Sequence, residues 1–297
     1  MTTSAIVVNA DDLGVSRGAT LGVIRAHLDG VVTSASLAPT GADYRYAMET
    51  VSRDCPGLGL GLHFTLSVGK PISPPADVPL LVNERGYFRW EFVSLFRAIG
   101  WKRQGNLLAQ IEIELEAQLQ RLRSDGIAPD HINSERHVHL IPGIFRKVIK
   151  AAKRHGIPFV RAGRDIGFRQ ARFRHYRPVI FQGGFIKFLL LQGLTGQNRL
   201  ETNQVRTCDH FASYLFTGRL DLVLEDIMRH TPAGLTEIMV HPGMPEHSRG
   251  VKLANPGVER YLEREDRRRE LDACIQAREL GSKLNLCTFK NAFRSMA

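Results

Sequence analysis

The chain has 297 residues, of which 43% are hydrophobic and 24% charged, so it can bury a large core and is neither disordered nor fibrous. Its formal net charge of +10 suits an anionic partner, surface or substrate. The four cysteines lie far apart and form no C-x-x-C pair, which argues against a zinc knuckle or a redox dithiol. With a first apolar run, residues 5–8, too short for a signal peptide, we expect a cytoplasmic protein.

Short β-branched or apolar runs alternate with helical patterns along most of the chain. The pattern predicts strands over residues 5–9, 31–37, 58–66, 130–140, 157–161 and 235–240. It predicts helices over residues 18–28, 42–53, 104–124 and 142–155. This alternation indicates an α/β fold with parallel strands. It favours a single irregular (β/α) barrel-like domain over residues 1–297 rather than a doubly wound open sheet.

The alternation fails between about residues 162 and 206, which we predict to be an insertion that covers the active face. Its apolar piece, residues 185–194, is too short to span a bilayer. It is either a core helix or a cover that suits an amphipathic glycoside. Six arginines over residues 161–177 form a candidate anion-binding surface. Four arginines over residues 264–269 alternate with acidic residues and are predicted to lie on a solvated helix face.

Polar residues follow the predicted strands at four places, where parallel α/β folds hold their active sites. They are Asn9-Ala10-Asp11-Asp12, His63, the run from His131 to His139, and His241-Pro242-Gly243. Two adjacent aspartates after a buried strand repel each other unless a cation compensates, and a divalent metal is such a cation. The alternative for Asp12 is to cap the helix that follows.

The histidine-rich run from His131 to His139 can be interpreted by the two-residue period of a strand. If the run is extended, its odd-numbered residues share one face: His131, Asn133, Glu135, His137 and His139. They would converge on the site, although a solvent-facing edge strand is the alternative. The alternative for His63 is a core histidine, and that for His241 is the cap of a Pro-Gly turn.

Such a set of residues is the layout of a metal-dependent hydrolase. One carboxylate and one or two further side chains hold a metal that polarises a carbonyl and acidifies water, while the second carboxylate accepts the proton of that water. His241 could then protonate the leaving amine.

Five segments are recognisable together: NADDLG at 9–14, GVVTSAS at 30–36, GLHF at 61–64, the run 131–139 with Pro142, and HPG at 241–243. This combination resembles the YdjC-like carbohydrate deacetylases, which include chitooligosaccharide deacetylase and hopanoid-associated deacetylases. The resemblance implies an irregular (β/α) barrel with a divalent cation. Position by position, it implies that Asp11 is the general base, that Asp12 and His63 bind the metal, and that His241 is the proton donor.

One position departs from the family pattern. Asn133 stands where an aspartate is usual, and Glu135 stands where a histidine would be the third metal ligand. Either Glu135 binds the metal, or His137 replaces it, or the site has lost its metal. Because a carboxylate is a hard donor, we expect one magnesium ion, with manganese, zinc and cobalt as alternatives. Asn133 and His139 are assigned to substrate binding.

The resemblance implies a carbohydrate N-deacetylase that removes an acetyl group from an N-acetylated sugar, either an oligosaccharide or a glycolipid. The alternatives are a metal-dependent phosphoesterase and a non-catalytic protein that binds carbohydrate or polyanions on the same fold. We expect no specific nucleic acid partner, whereas peripheral membrane contact and a homodimer stay open.

Overall fold

The structure is a computed structural model that describes residues 4–100, 105–166, 184–198 and 205–295. Its sheet contains β1 (Ser4–Leu13), β2 (Ser34–Leu37), β3 (Gly59–Phe64), β4 (His131–Ser134), β5 (Phe159–Val160), β6 (Arg164–Asp165), β7 (His210–Ala212) and β8 (Gly234–Val240). The α-helices of these ranges are α1 (Arg17–Leu28), α2 (Tyr44–Asp54), α3 (Phe92–Gly100), α4 (Gly105–Ser124), α5 (Pro142–Arg154), α6 (Gly184–Asn198), α7 (Leu224–Arg229), α8 (Pro256–Leu262), α9 (Asp266–Gln276), α10 (Arg278–Gly281) and α11 (Phe289–Ser295). Short 3-10 turns span Glu135–Leu140, Leu220–Leu222 and Pro245–His247.

The strands follow the order of a barrel that is open at one place. β1 lies between β2 and β8, the sheet order is β5-β4-β3-β2-β1-β8-β7-β6, and every ladder is parallel. Within the described ranges no ladder joins β5 to β6, although only residues 161–163 separate them in the chain. The predicted α/β fold with a barrel-like parallel sheet is therefore confirmed, as a curled sheet flanked by helices.

Burial and capping explain the first two elements. Every residue of β1 from Ile6 to Leu13 is buried, as is typical of a central parallel strand. α1 begins after Ser16, whose hydroxyl accepts the Ala19 N–H at 3.2 Å. Ser16 is therefore the N-cap of α1, and Asp12 is left available to the site.

The predicted strand over residues 130–140 is wrong beyond Ser134. Arg136 and His137 take left-handed φ angles of 50° and 60°, so the chain turns into a 3-10 segment there. The odd-numbered residues after Ser134 consequently do not share a strand face. The other predicted helices and strands are present, with ends that differ by up to four residues.

The stretch predicted as an insertion contributes one strand, β6, to the sheet and one helix, α6, beside it. Its residues 167–183 and 199–204 lie outside the described residues, and with them the arginines at 169, 172, 174 and 177. Across the ranges that the structure describes, no helix has both the length and the apolar character needed to cross a bilayer.

Candidate active site

A pocket of about 200 Å³ lies at the carboxyl ends of the strands. It brings together six residues predicted from the sequence: Asp11, Asp12, His63, Glu135, His137 and His241. A larger groove of about 1000 Å³ runs along α4, but none of these six residues lines it. The groups suited to chemistry are thus concentrated in the smaller pocket.

A bulge in β1 allows both aspartates to face this pocket. Successive residues of a regular strand point to opposite sides of the sheet. Between Ala10 and Leu13, β1 advances one residue more than its partner β2. Asp12 lies in this irregular step with a left-handed φ of 67°. An aspartate in this conformation costs about 1–3 kcal/mol, and such strain is concentrated at functional sites.

The Asp11 carboxylate is fixed by a dense set of donors. Arg161 donates from Nη1 to Oδ2 at 2.6 Å and from Nη2 to Oδ1 at 2.7 Å. Asn9 and Asn133 donate their amide hydrogens to Oδ1 at 2.9 and 3.0 Å. Burial alone would raise the pKa of Asp11, but the Arg161 guanidinium outweighs burial and lowers the pKa to about 2. Asp11 is therefore an ionised and immobile carboxylate.

Arg161 does not belong to an anion-binding surface, contrary to the prediction. It is only 3% exposed and donates from Nε to Glu237 Oε1 at 2.8 Å, in addition to its two bonds with Asp11. The guanidinium is thus held between two buried carboxylates. It has no donor to spare for a polyanion because its charge is already compensated inside the protein.

Asp12 keeps one oxygen free. Its Oδ2 accepts from Arg267 Nη1 at 2.7 Å, while its Oδ1 lies 3.4 Å from His63 Nε2. Burial would raise the pKa of Asp12, but Arg267 and then His63 lower it well below its usual range. Arg267 is 1% exposed, so the predicted solvated face of the second arginine cluster is wrong at this residue. The other arginines of that cluster are not buried.

His63 presents an unshared nitrogen to Asp12. The Asn133 amide nitrogen must face the Asp11 carboxylate, since a carboxylate accepts only. Asn133 Oδ1 is then directed to His63 Nδ1, 2.8 Å away, and requires a proton on that nitrogen. In the neutral ring the lone pair is then on Nε2, which is buried without a hydrogen-bond partner. Burial lowers the pKa of His63, but the neighbouring Asp12 and Asp11 carboxylates raise it overall.

Glu135 has one satisfied oxygen and one unsatisfied oxygen. Ser67 donates its hydroxyl to Oε2, whereas Oε1 is buried without a hydrogen bond, although Arg136 Nε lies 3.4 Å away. Burial raises the pKa of Glu135 to about 7, despite the Ser67 hydrogen bond. A cation at Oε1 would satisfy this oxygen and favour the ionised carboxylate.

His137 and His139 differ in their placement. His137 lines the pocket, its Nδ1 has no hydrogen-bond partner, and its ring meets Tyr214 edge-on at 4.9 Å. His139 is fully buried between the Ser134 hydroxyl and the Arg161 carbonyl, at 2.5 and 2.9 Å. Burial lowers the pKa of both histidines, that of His139 to about 3.

The two residues assigned to substrate binding lie behind the pocket wall. Asn133 and His139 are both 0% exposed, and neither lines the pocket. Asn133 orients His63 and Asp11, whereas His139 ties the 3-10 turn to the end of β5. Their positions indicate that they support the site from behind, because their polar atoms already bond to protein groups.

His241 enters the pocket from the end of β8. Its backbone N–H donates to Glu270 Oε2 at 2.6 Å, and its ring Nδ1 lies 3.8 Å from the same oxygen. Burial lowers the pKa of His241 to about 4, although Asp12 and Asp11 oppose the shift. The turn after His241 packs closely on α1, because a Cβ on Gly22 would lie 2.4 Å from the Gly243 Cα. The ring is therefore neutral near pH 7 and firmly placed.

Three site residues were not identified from the sequence: Arg161, Arg267 and Lys187. Arg161 directly follows β5, so the strand-end rule applied to the other constellations could have identified it. Arg267 lies in a run of charged residues on α9 and gives no comparable signal. Lys187 lines the pocket from α6, and burial lowers its pKa to about 8.

The donor set fits a divalent cation in part. Three atoms suited to bind a metal face the pocket region: the free Asp12 Oδ1, the bare His63 Nε2 and the unsatisfied Glu135 Oε1. Carboxylate and imidazole donors suit divalent ions. In the part of the chain that the structure describes, no three His, Cys, Asp or Glu side chains already stand at the spacing of a metal site. Binding would therefore need a side-chain adjustment.

The chain is similar to known proteins over most of its length. A family model described as YdjC-like protein matches residues 5–280. A carbohydrate deacetylase of Geobacillus stearothermophilus is 43% identical over 152 residues, which cover 51% of this chain and 57% of that protein. A chitooligosaccharide deacetylase of Proteus mirabilis is 36% identical over 157 residues, which cover 52% and 57%. The chain thus matches little more than half the length of these relatives.

A solved structure shares the fold over nearly the whole chain. It is a protein of Enterococcus faecalis, provisionally named as a cellobiose-phosphate cleavage protein. Its TM-score is 0.66 with 24% identity, and the alignment covers 98% of this chain and 99% of that one. At this level of identity the likeness shows the fold alone.

Proposed function

Because the chain belongs to the YdjC-like family, we propose that it is a metal-dependent hydrolase that removes the acetyl group from an N-acetylated sugar. The observation that carries the proposal is the bare Nε2 of His63, 3.4 Å from the free oxygen of Asp12, in a pocket that also holds Asp11 and His241. The names of the carbohydrate deacetylases to which the chain is similar support the sugar substrate. The four unpaired cysteines support a cytoplasmic setting.

In this proposal Asp12, His63 and Glu135 hold one divalent ion, with His137 as the alternative to Glu135. Such an ion, when bound, polarises the acetyl carbonyl and makes a bound water more acidic. Glu135 adds a second carboxylate to the donor set, which favours magnesium or manganese over zinc. Asn133 Oδ1 accepts from His63 Nδ1 and so leaves Nε2 as the ring nitrogen that can bind the ion.

Asp11 and His241 handle the protons. Asp11 accepts the proton of the attacking water. Its pKa of about 2 makes Asp11 a weak base near pH 7, so this transfer would depend on a bound cation that makes the water more acidic. His241 would give a proton to the leaving nitrogen from its protonated ring, which the Asp12 and Asp11 carboxylates favour, although burial lowers its pKa to about 4. Glu270, whose pKa burial raises to about 7, receives the His241 backbone N–H and fixes the start of the turn.

The test is acetate release from N-acetylated oligosaccharides and glycolipids with added magnesium, manganese, zinc or cobalt. We expect metal-dependent acetate release by the wild type and almost none by Asp11→Asn. Absence of acetate with every substrate and metal would overturn the proposal. Phosphate release from phosphate esters would then support the phosphoesterase, and salt-sensitive polyanion binding without turnover would support the binding protein.

The third ligand has its own test. Glu135→Ala should weaken magnesium binding, whereas Glu135→His should bind and raise the relative affinity for zinc, because imidazole is a softer donor than carboxylate. His137→Ala is the matched control, and its magnesium affinity should stay near that of the wild type. Loss of affinity in His137→Ala with none in Glu135→Ala would transfer the ligand role to His137.

A further inference from the structure

Helix α6 places apolar side chains on both of its faces. One face is in the core, with Phe188, Leu191 and Leu194 no more than 9% exposed. The opposite face exposes Ile186 by 74%, Leu189 by 54% and Leu190 by 39%. These three positions have the i, i+3, i+4 spacing of one helix face. A helix that lies in water on that side would normally carry charged residues there.

This exposed face lies beside the active pocket. Lys187, the single charged residue of α6, lines the pocket and donates to Thr217 Oγ1 at 3.2 Å. At the other end of the helix, Asn198 donates to the Leu140 carbonyl at 2.7 Å and so joins α6 to the 3-10 turn that carries Glu135. One helix therefore connects the catalytic pocket to an apolar surface.

A basic groove borders the same helix. Arg164 and four residues of α6 enclose about 400 Å³ there: Gln192, Gly193, Thr195 and Gly196. Arg164 is exposed and forms no ion pair with the residues that the structure describes. A Cβ built on Gly193 or Gly196 would meet nothing within 4 Å, so this part of the groove is open. Among the described residues, no carboxylate compensates the positive charge of Arg164 at the edge of the apolar face.

We propose that the exposed face of α6 rests on an anionic lipid bilayer, with Ile186, Leu189 and Leu190 in the acyl layer and Arg164 at an anionic headgroup. The inner apolar face of α6 is already buried in the core, so the outer apolar face is left for an apolar medium, and the Arg164 charge beside it suits an anionic headgroup. The net charge of +10 adds long-range attraction to such a surface. A bilayer-bound chain would present its pocket to sugars carried on lipids. Only this last point rests on the proposed function.

The experiment measures binding of the full chain to vesicles of phosphatidylcholine, with and without phosphatidylglycerol. The wild type should bind the anionic vesicles more tightly. Leu189→Gln/Leu190→Gln should weaken binding by about tenfold or more, and Arg164→Gln should reduce the preference for anionic vesicles by about fivefold. The matched controls are Leu28→Gln/Ile113→Gln, whose leucine and isoleucine are 48% and 44% exposed elsewhere, and Arg278→Gln, an exposed arginine on α10.

Three results would overturn the proposal: no vesicle binding by the wild type, equal losses in the controls, or an altered oligomeric state of Leu189→Gln/Leu190→Gln without a change in vesicle binding. The last result would assign the face to a second copy of the chain. Acetate release from a water-soluble oligosaccharide should be unchanged in this variant, while release from the matching glycolipid in vesicles should fall. If no sugar yields acetate, the proposed function fails, and vesicle binding still decides the membrane contact.

Discussion

Asp11 and Asp12 are neighbours in sequence but lie in two differently built regions of the site. Asp11 belongs to the sheet side, where Arg161 and two asparagine amides occupy its oxygens. Asp12 belongs to the helix side, where Arg267 binds one oxygen and the other is directed toward His63. The pKa of each carboxyl is lowered by an arginine, yet only Asp12 keeps an oxygen for a ligand.

The comparison shows how two identical side chains acquire different tasks. The Asp11 carboxylate is fixed and ionised by its donors, three of which bind Oδ1, while Oδ2 accepts one bond from Arg161 and keeps a lone pair for a proton. By contrast, a carboxylate with a free oxygen beside an imidazole nitrogen without a partner can bind a cation together with that nitrogen. The number of protein donors on each carboxylate, rather than its residue type, therefore separates the proton acceptor from the ligand.

The largest expected effect concerns turnover. Asp11→Asn should lower kcat by about 10²–10⁴-fold, since an amide cannot accept a proton from water. Its metal affinity should stay within about threefold of the wild type, because Asp12 and His63 are unchanged. Acetate release at saturating metal, together with a metal titration of the same preparation, measures both quantities. Near-normal kcat would remove Asp11 from the role of base.

The Arg161–Asp11 and Arg267–Asp12 pairs should contribute differently to the free energy of unfolding. Arg161→Met leaves two buried carboxylates, Asp11 and Glu237, without their cation and should cost about 3–5 kcal/mol of unfolding free energy. Arg267→Met should cost less, because Asp12 borders the pocket where water can reach it.

Urea unfolding of both variants measures this difference, with Arg264→Met as the control. The Arg264 side chain is 55% exposed, so its loss should cost about 0–1 kcal/mol. Equal costs for Arg161→Met and Arg267→Met would mean that water reaches the Asp11 and Asp12 carboxylates equally.

For metal affinity we expect the reverse order, in which loss of the Asp12 carboxylate matters more than loss of the Asp11 carboxylate. Asp12→Asn should weaken binding of magnesium or manganese by about 10–100-fold, a loss at least as large as that expected for residues that only orient ligands. His63→Ala should show a similar loss, because its Nε2 faces the same oxygen. Calorimetric titration of each variant gives the affinities. Unchanged binding in both variants would place the cation elsewhere.

The smallest expected effect is the loss of unfolding free energy at acidic pH. The folded pKa of Asp11, about 2, lies below its ordinary value of 3.8, so the ionised carboxylate stabilises the fold above about pH 4. That contribution, on the order of 2 kcal/mol, is lost as the pH falls from about 4 to 2. Urea midpoints at pH 6 and at pH 2.5 should differ more in the wild type than in Asp11→Asn. Equal differences would contradict the lowered pKa.

Much of the site followed from the sequence because parallel strands end at the same edge of a sheet. Residues after β1, β3, β4 and β8 were predicted to meet, and Asp11, His63, Glu135 and His241 line one pocket. The prediction was wrong where it extended the strand period beyond Ser134. The left-handed backbone at Arg136 and His137 is not encoded by hydrophobic periodicity, so the pattern could not reveal it.

The sequence by itself determined the α/β alternation and the identity of most polar groups at the strand ends, and it favoured a barrel-like sheet, since these depend on local patterns and on one rule of topology. Only the tertiary structure decided how each group is used. The bulge at Asp12 turns two consecutive aspartates to one side, and Arg267 comes from α9, 255 residues further along the chain. Such contacts depend on packing between distant segments, which a single sequence does not display as a pattern.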